Sequence, residues 1–217
     1  MIRLLCLAIG YVFGLIQTAY IIGKTRNIDI RDSGSGNSGT TNAMRVLGKK
    51  AGIITFIVDV LKAIAAICIV RYFIARPFYP DIEFTLVLYA GLGVILGHNF
   101  PFYMNFKGGK GIAATAGMII GLWNPWLIIL GLAAFGLAVG ITRYVSLGSL
   151  CVVTGFLIEV IILGQAGSLT GFGPACVPEA YIIAFLITAL AFIRHKDNIK
   201  RLANHTERKI GEKKEEN

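Results

Sequence analysis

Residues 33–45 read SGSGNSGTTNAMR, and two incompatible folds can be read into them. Gly34, Gly36 and Gly39 form a GxGxxG, and Asp59 follows at the distance at which a dinucleotide-binding βαβ unit places its ribose-binding acid. That fingerprint needs a strand before it and a βαβ unit around it. Here the loop follows an apolar run at 2–22, and Asp59 falls inside the next run at 51–73. The nucleotide fold is excluded. What remains is a polar, donor-rich loop between two stretches that each match the roughly 30 Å hydrocarbon core of a bilayer.

The rest of the chain repeats this alternation. Mean hydropathy is +0.70, with 55% hydrophobic and only 15% charged residues, far from a soluble domain. Further apolar runs lie at 84–97, 112–123, 126–141, 147–163 and 178–193, the first of them able to continue to a break at Pro101. The expected fold is an all-α integral membrane protein of seven transmembrane helices. It forms one domain over 1–217, with a disordered tail at 211–217. The first run carries Arg3 but no small-residue cleavage site before Lys24, so it reads as a retained span rather than a signal peptide.

The polar sequence concentrates in alternate gaps and the tail: 33–45, 98–111 (HNFPFYMNFKGGKG), 143–149 (RYVSLGS) and 194–207 (RHKDNIKRLANHTE). In a serpentine chain these share one face. The same gaps hold Lys24, Arg26, Arg31, Arg45, Lys49, Lys50, Lys107, Lys110, Arg143 and the cations from Arg194 onward, against Arg3, Arg71 and Arg76 opposite. Basic residues mark the cytoplasmic side, which places the N-terminus outside and the C-terminus in the cytoplasm. The net charge of +9 is then a topology signal and an attraction to the anionic bilayer surface, not a nucleic-acid footprint. The four cysteines show neither CxxC nor Cys/His spacing, so no metal or other cofactor is expected.

Each polar segment has a chemistry and a plainer alternative. Gly34, Gly36 and Gly39 let successive amides wrap an anion; Ser35, Asn37, Ser38, Thr40, Thr41 and Asn42 add hydroxyl and amide groups, and Arg45 adds a fork suited to phosphate. The alternative is a flexible linker, less usual at this density of donors. Lys107, Gly108, Gly109, Lys110 and Gly111 precede a small-residue helix whose N-terminus would attract an anion; the alternative is lysines snorkelling beside a turn. Ser146 could be no more than a helix cap. His195 and Asn198 share a helical face at the membrane surface, where the imidazole could accept a proton or anchor the tail. Asp59 and Lys62, at i, i+3 in mid-span, read as a structural ion pair, and Glu159 has no partner in sequence.

Taken in order, GSGNSGTTNAMRVLGKKAG, DVLK, GHNFPFYMNFKGGKGIA, TRYVSLGS and RHKDNIKRLANHTERKI resemble the PlsY family of bacterial membrane glycerol-3-phosphate acyltransferases nearly end to end. The resemblance implies transfer of an acyl chain from acyl phosphate to glycerol 3-phosphate, at the cytoplasmic face of the bacterial inner membrane. Lysophosphatidic acid is the product, and the peripheral enzyme that makes acyl phosphate is a possible partner. It implicates Ser35, Asn42, Arg45, Lys107, Lys110, Ser146, Ser149, His195 and Asn198, with Glu207 structural. The serines would bind rather than attack, and the proton acceptor would be His195 or a substrate phosphate oxygen. His205 stands where the family usually has glycine, which bears on how Glu207 is placed. A transporter of organic phosphates is the alternative from another class, but it should show repeated halves and a midplane site.

Overall fold

The computed structural model describes residues 1–169, 173 and 176–211; of the predicted disordered tail, 212–217 lies outside the described residues. Among the described residues every regular element is helical. Six stretches are long and apolar enough to cross a membrane: Ile2–Lys24, Lys49–Phe78, Pro80–Met104, Pro125–Thr142, Val145–Gln165 and Val177–Arg194. The shorter apolar helix Ile112–Gly121 is the seventh. The helices are α1 (Ile2–Gly14), α2 (Thr18–Lys24), α3 (Thr40–Val46), α4 (Lys49–Val70), α5 (Arg76–Phe78), α6 (Glu83–Asn99), α7 (Ile112–Gly121), α8 (Pro125–Thr142), α9 (Val145–Gln165), α10 (Val177–Arg194) and α11 (Lys196–Ala203).

The run at 2–22, expected as one span, is broken. α1 stops at Gly14 and α2 restarts at Thr18, with Gln17 at φ −107°, ψ 81° between them. A break at this depth leaves helix-end carbonyls without intrahelical partners. They find them in a lysine of another helix and in the break itself. Lys62 Nζ donates to Ile16 O at 2.5 Å and Gly14 O at 3.4 Å, and Gln17 Nε2 donates to Gly14 O at 3.2 Å. Lys62 is also paired with Asp59 at 2.7 Å, as the i, i+3 spacing suggested, both side chains almost fully buried. Removing one member of such a pair costs about 3–5 kcal/mol, because the other charge is left buried and alone.

Glycines bring this break against α6. Gly10 and Gly14 on α1 face Gly93 and Gly97 on α6, and a Cβ at any of the four would strike a backbone carbonyl of the other helix. Without that hindrance the two backbones cross in direct contact, the small-xxx-small packing of membrane helices. α6 is buried almost along its whole length and continues past the expected end at 97 to carry His98 and Asn99 inward.

α7 is only ten residues long, about 15 Å, half of a bilayer core. Its N-terminal loop packs into the protein: Gly108, Gly109 and Gly111 are all buried. The hairpin after α7 follows its sequence closely. Asn124 Oδ1 accepts from Trp126 N and Leu127 N at 3.0 and 3.3 Å, and Pro125 occupies the first turn of α8. Glu159 sits half-buried on α9, its Oε2 without a hydrogen-bond partner among the described residues.

Candidate active site

The loop before α3 is built around two asparagine side chains. Gly34 and Gly36 take left-handed φ of +65° and +68°, which turns the chain back over α3. Asn42, 2% exposed, then fills the turn: its Oδ1 accepts from Ser35 N at 2.9 Å, and its Nδ2 donates to Ser33 O at 3.0 Å and Ile30 O at 3.2 Å. Asn37 Oδ1 accepts from Gly39 N at 3.0 Å. The sequence pointed to Asn42 and Asn37 as anion donors. The structure gives both side chains work inside the loop, so they shape the cradle. Ser35, Thr41 and Arg45 are exposed along its rim.

The loop before α7 is built by backbone and one arginine. Asn105 and Phe106 both adopt left-handed φ, 53° and 58°, an unusual pair for residues with side chains, and Lys107 follows them exposed to solvent. Gly108 N then donates to Asn99 O at 3.1 Å and Gly109 N to His98 O at 3.0 Å. From the other side Arg194 Nη2 donates to Gly108 O at 3.1 Å and Gly109 O at 2.9 Å. The two glycine amides expected to grip an anion are thus committed to the end of α6. That leaves Lys110, Gly111 and the first turn of α7 to face a ligand. Asn99 lies beside Gly111, fully buried, with neither side-chain polar atom bonded among the described residues.

A third group comes from the tail. Lys110 Nζ donates to Asn198 Oδ1, and Asn198 Nδ2 donates to Glu207 Oε1 at 2.7 Å. Ser146 Oγ donates to the same oxygen at 2.9 Å, while Arg201 Nε donates to Glu207 Oε2 at 2.7 Å. Burial alone would raise the Glu207 carboxyl, but the hydrogen bonds from Asn198, Arg201 and Ser146 outweigh it and hold it below the ordinary carboxylate value. His205 supplies the turn that delivers Glu207 by itself adopting φ +55°, so the missing glycine is not needed. Arg45 lies near enough to Arg208, Glu207 and Arg201 to feel their charges. Ser146 is not the cap of α9, since Tyr144 takes that position, and Ser149 Oγ donates back to Val145 O within the helix at 2.8 Å.

Burial, with Arg201 nearby, brings the Lys110 ammonium down to about 8, still protonated at neutral pH. His195 is 3% exposed, and burial pushes its imidazole down to about 4. Its Nδ1 lies 2.7 Å from Ala191 O, an acceptor only, so Nδ1 carries the proton and Nε2 is left as an acceptor. The side chains brought together around one junction are therefore Arg45, Lys110, Ser146, His195, Asn198, Arg201 and Glu207. Sequence reading had counted Arg194 only as a cytoplasmic charge and did not single out Gln17. Arg194 opens the polar segment 194–207, but nothing in its spacing marks it as a clamp on another loop, and Gln17 carries no motif.

The family model for glycerol-3-phosphate acyltransferase matches residues 4–205. A curated glycerol-3-phosphate acyltransferase of Clostridioides difficile (strain 630) is 42% identical over 209 residues, covering 95% of each chain. One from Thermoanaerobacter sp. (strain X514) is 39% identical over 216 residues, covering 99% of each. Among solved structures, PlsY, an integral membrane glycerol 3-phosphate acyltransferase, matches in its glycerol 3-phosphate form with a TM-score of 0.79 and 31% identity over 96% of both chains. Its lysophosphatidic acid form matches with a TM-score of 0.77 and 30% identity, over 96% of this chain and 95% of that one.

Proposed function

The chain belongs to the glycerol-3-phosphate acyltransferase family, and from that premise we propose that it moves an acyl chain from acyl phosphate to glycerol 3-phosphate at the cytoplasmic face of a bacterial inner membrane. The observation that carries the reading is the junction itself. Two glycine loops and a folded-back tail bring Lys110, Asn198 and Arg201 around a single half-buried carboxylate, Glu207, with Arg45 close enough to feel its charge. Both proposed substrates bear phosphate, and this is a cationic surface with two loop-and-helix cradles facing it.

In the reaction a hydroxyl oxygen of glycerol 3-phosphate bonds to the acyl carbonyl carbon, the bond from that carbon to the phosphate oxygen breaks, and inorganic phosphate leaves. The leaving group is already stable as an anion. Catalysis then rests on positioning and on donors facing the developing oxyanion. The hydroxyl proton needs an acceptor, and His195 at about 4 is a weak one. A phosphate monoester oxygen, with a second pKa of about 6, is the stronger base. That favours a substrate phosphate as base, with His195 Nε2 accepting a hydrogen bond from the non-reacting hydroxyl of glycerol 3-phosphate and so orienting the molecule.

The test incubates detergent-purified protein with acyl phosphate and labelled glycerol 3-phosphate and measures lysophosphatidic acid. Product formation from acyl phosphate but not from acyl-CoA supports the donor assignment. Folded protein that makes no product, yet catalyses counterflow of glycerol 3-phosphate in liposomes, would establish the transporter instead.

A further inference from the structure

We propose that Gln17 is a positioning residue that ties the two glycine loops to each other across the break in the first span. Gln17 is fully buried and its amide has partners at both ends. Oε1 accepts from Ser38 Oγ at 2.9 Å, and Ser38, 1% exposed, belongs to the loop before α3. Nε2 donates to His98 O at 2.9 Å, the same carbonyl that accepts from Gly109 N in the loop before α7. A continuous path of three hydrogen bonds therefore runs from one loop to the other through a single side chain. The amide orientation follows from its surroundings, because a flipped amide would set its oxygen against the carbonyls of Gly14, Gly97 and His98.

The path is braced from below. Lys62 Nζ bonds the carbonyls of the break and lies 3.0 Å from His98 Nδ1, and the His98 ring occupies the space where a Cβ of Gly109 would be. The break in the first span thus places a polar side chain where a continuous apolar helix could not. The role rests on the reading that each loop holds one phosphate-bearing substrate. Two substrates held by separate loops react only if the loops keep them in register. Reacting atoms must stand about 3–3.5 Å apart, and a displacement of about 1 Å costs up to about 100-fold in rate. A tie between loops therefore acts on turnover and leaves the affinity of each loop for its own substrate largely unchanged.

The experiment compares Gln17→Met, similar in size but without hydrogen bonds, with Ser38→Ala, which cuts only one end of the path. Hydrogen exchange of loop peptides is measured in the full-length protein alongside steady-state kinetics. Gln17→Met should lower kcat by about 10- to 100-fold with each KM within about threefold, and speed exchange in both loops. Ser38→Ala should give most of the kcat loss, and the double variant should be no slower than Gln17→Met alone. Ser38→Ala leaves the bonds of Gln17 to α1 and α6 in place, so it reports even if Gln17→Met does not fold. Unchanged exchange in an active Ser38→Ala enzyme, or two losses that simply multiply, would overturn the tie while leaving the proposed reaction intact. Faster exchange in protein that forms no lysophosphatidic acid would establish the tie and remove the reaction.

Discussion

Residues 34–39 and 108–111 are both glycine-rich, both precede a helix and both end near a cation, yet they are held in place by different means. The first lies at the surface, shaped by the side chains of Asn42 and Asn37, with Ser35 and Arg45 exposed. The second is buried and gripped on both sides, its amides by the end of α6 and its carbonyls by Arg194. The difference lies in what surrounds them. A loop at the surface can leave groups to water, while the amides and carbonyls of a buried loop are paired mostly within the protein. Under the proposed reaction, the first loop would adjust to a substrate while the second holds one position.

The sharpest break of that comparison is a methyl group in each loop. Gly109→Ala should lower turnover by about 100-fold or more, because the added Cβ collides with the His98 ring. Gly39→Ala should cost less than about tenfold, since Gly39 has extended backbone and its Cβ would meet only the tip of the Asn37 side chain, which can shift at the cost of its bond to Gly39 N. Equal losses in the acyl-transfer assay would erase the distinction. Next in size, Arg194→Ala should reduce kcat by about 10- to 100-fold, and Arg194→Lys should not restore it. A point-charge ammonium cannot bridge the carbonyls of Gly108 and Gly109 as the planar fork does.

Asn42→Ala sharpens the other side. It removes the side chain that holds Ser33, Ser35 and Ile30, at about 1–3 kcal/mol for the backbone groups left unpaired. The expected result is a rise in KM of about tenfold for one phosphate substrate with folding retained. A fall in kcat alone would show that the first loop, too, is rigid. The smallest effect is in pH. Lys110 is charged below about 8, so KM for the substrate it faces should climb severalfold as pH rises from 7 to 9. Lys110→Arg should flatten that climb. No inflection near 6.5 is expected from His195, which is neutral from pH 5 upward.

The fold was legible because a bilayer imposes it. An apolar run long enough to cross, followed by a polar gap rich in Lys and Arg, constrains both the helices and their order. The hairpin at Asn124-Pro125 and the Asp59–Lys62 pair were equally readable, being set by neighbours in sequence. The break at Gln17 was not, since a single Gln-Thr pair within the apolar run from 2 to 22 does not by itself end a helix. Only the carbonyls it frees, satisfied by Lys62 from another helix, show why it persists. The glycines of α1 and α6 that bring those partners together are scattered small residues until the two helices cross.

By itself, then, the sequence determined the membrane class, the alternation of spans and loops, and the loops in which cations and glycines would gather. Periodicity and composition act along the chain and need no partner to be read. The tertiary structure alone decided which donors in those loops are committed and which are open, that Arg194 clamps one loop and Gln17 joins the two, and that His195 is neutral. Hydrogen bonds and burial are set by what approaches from tens of residues away, and no local pattern in the sequence records that approach.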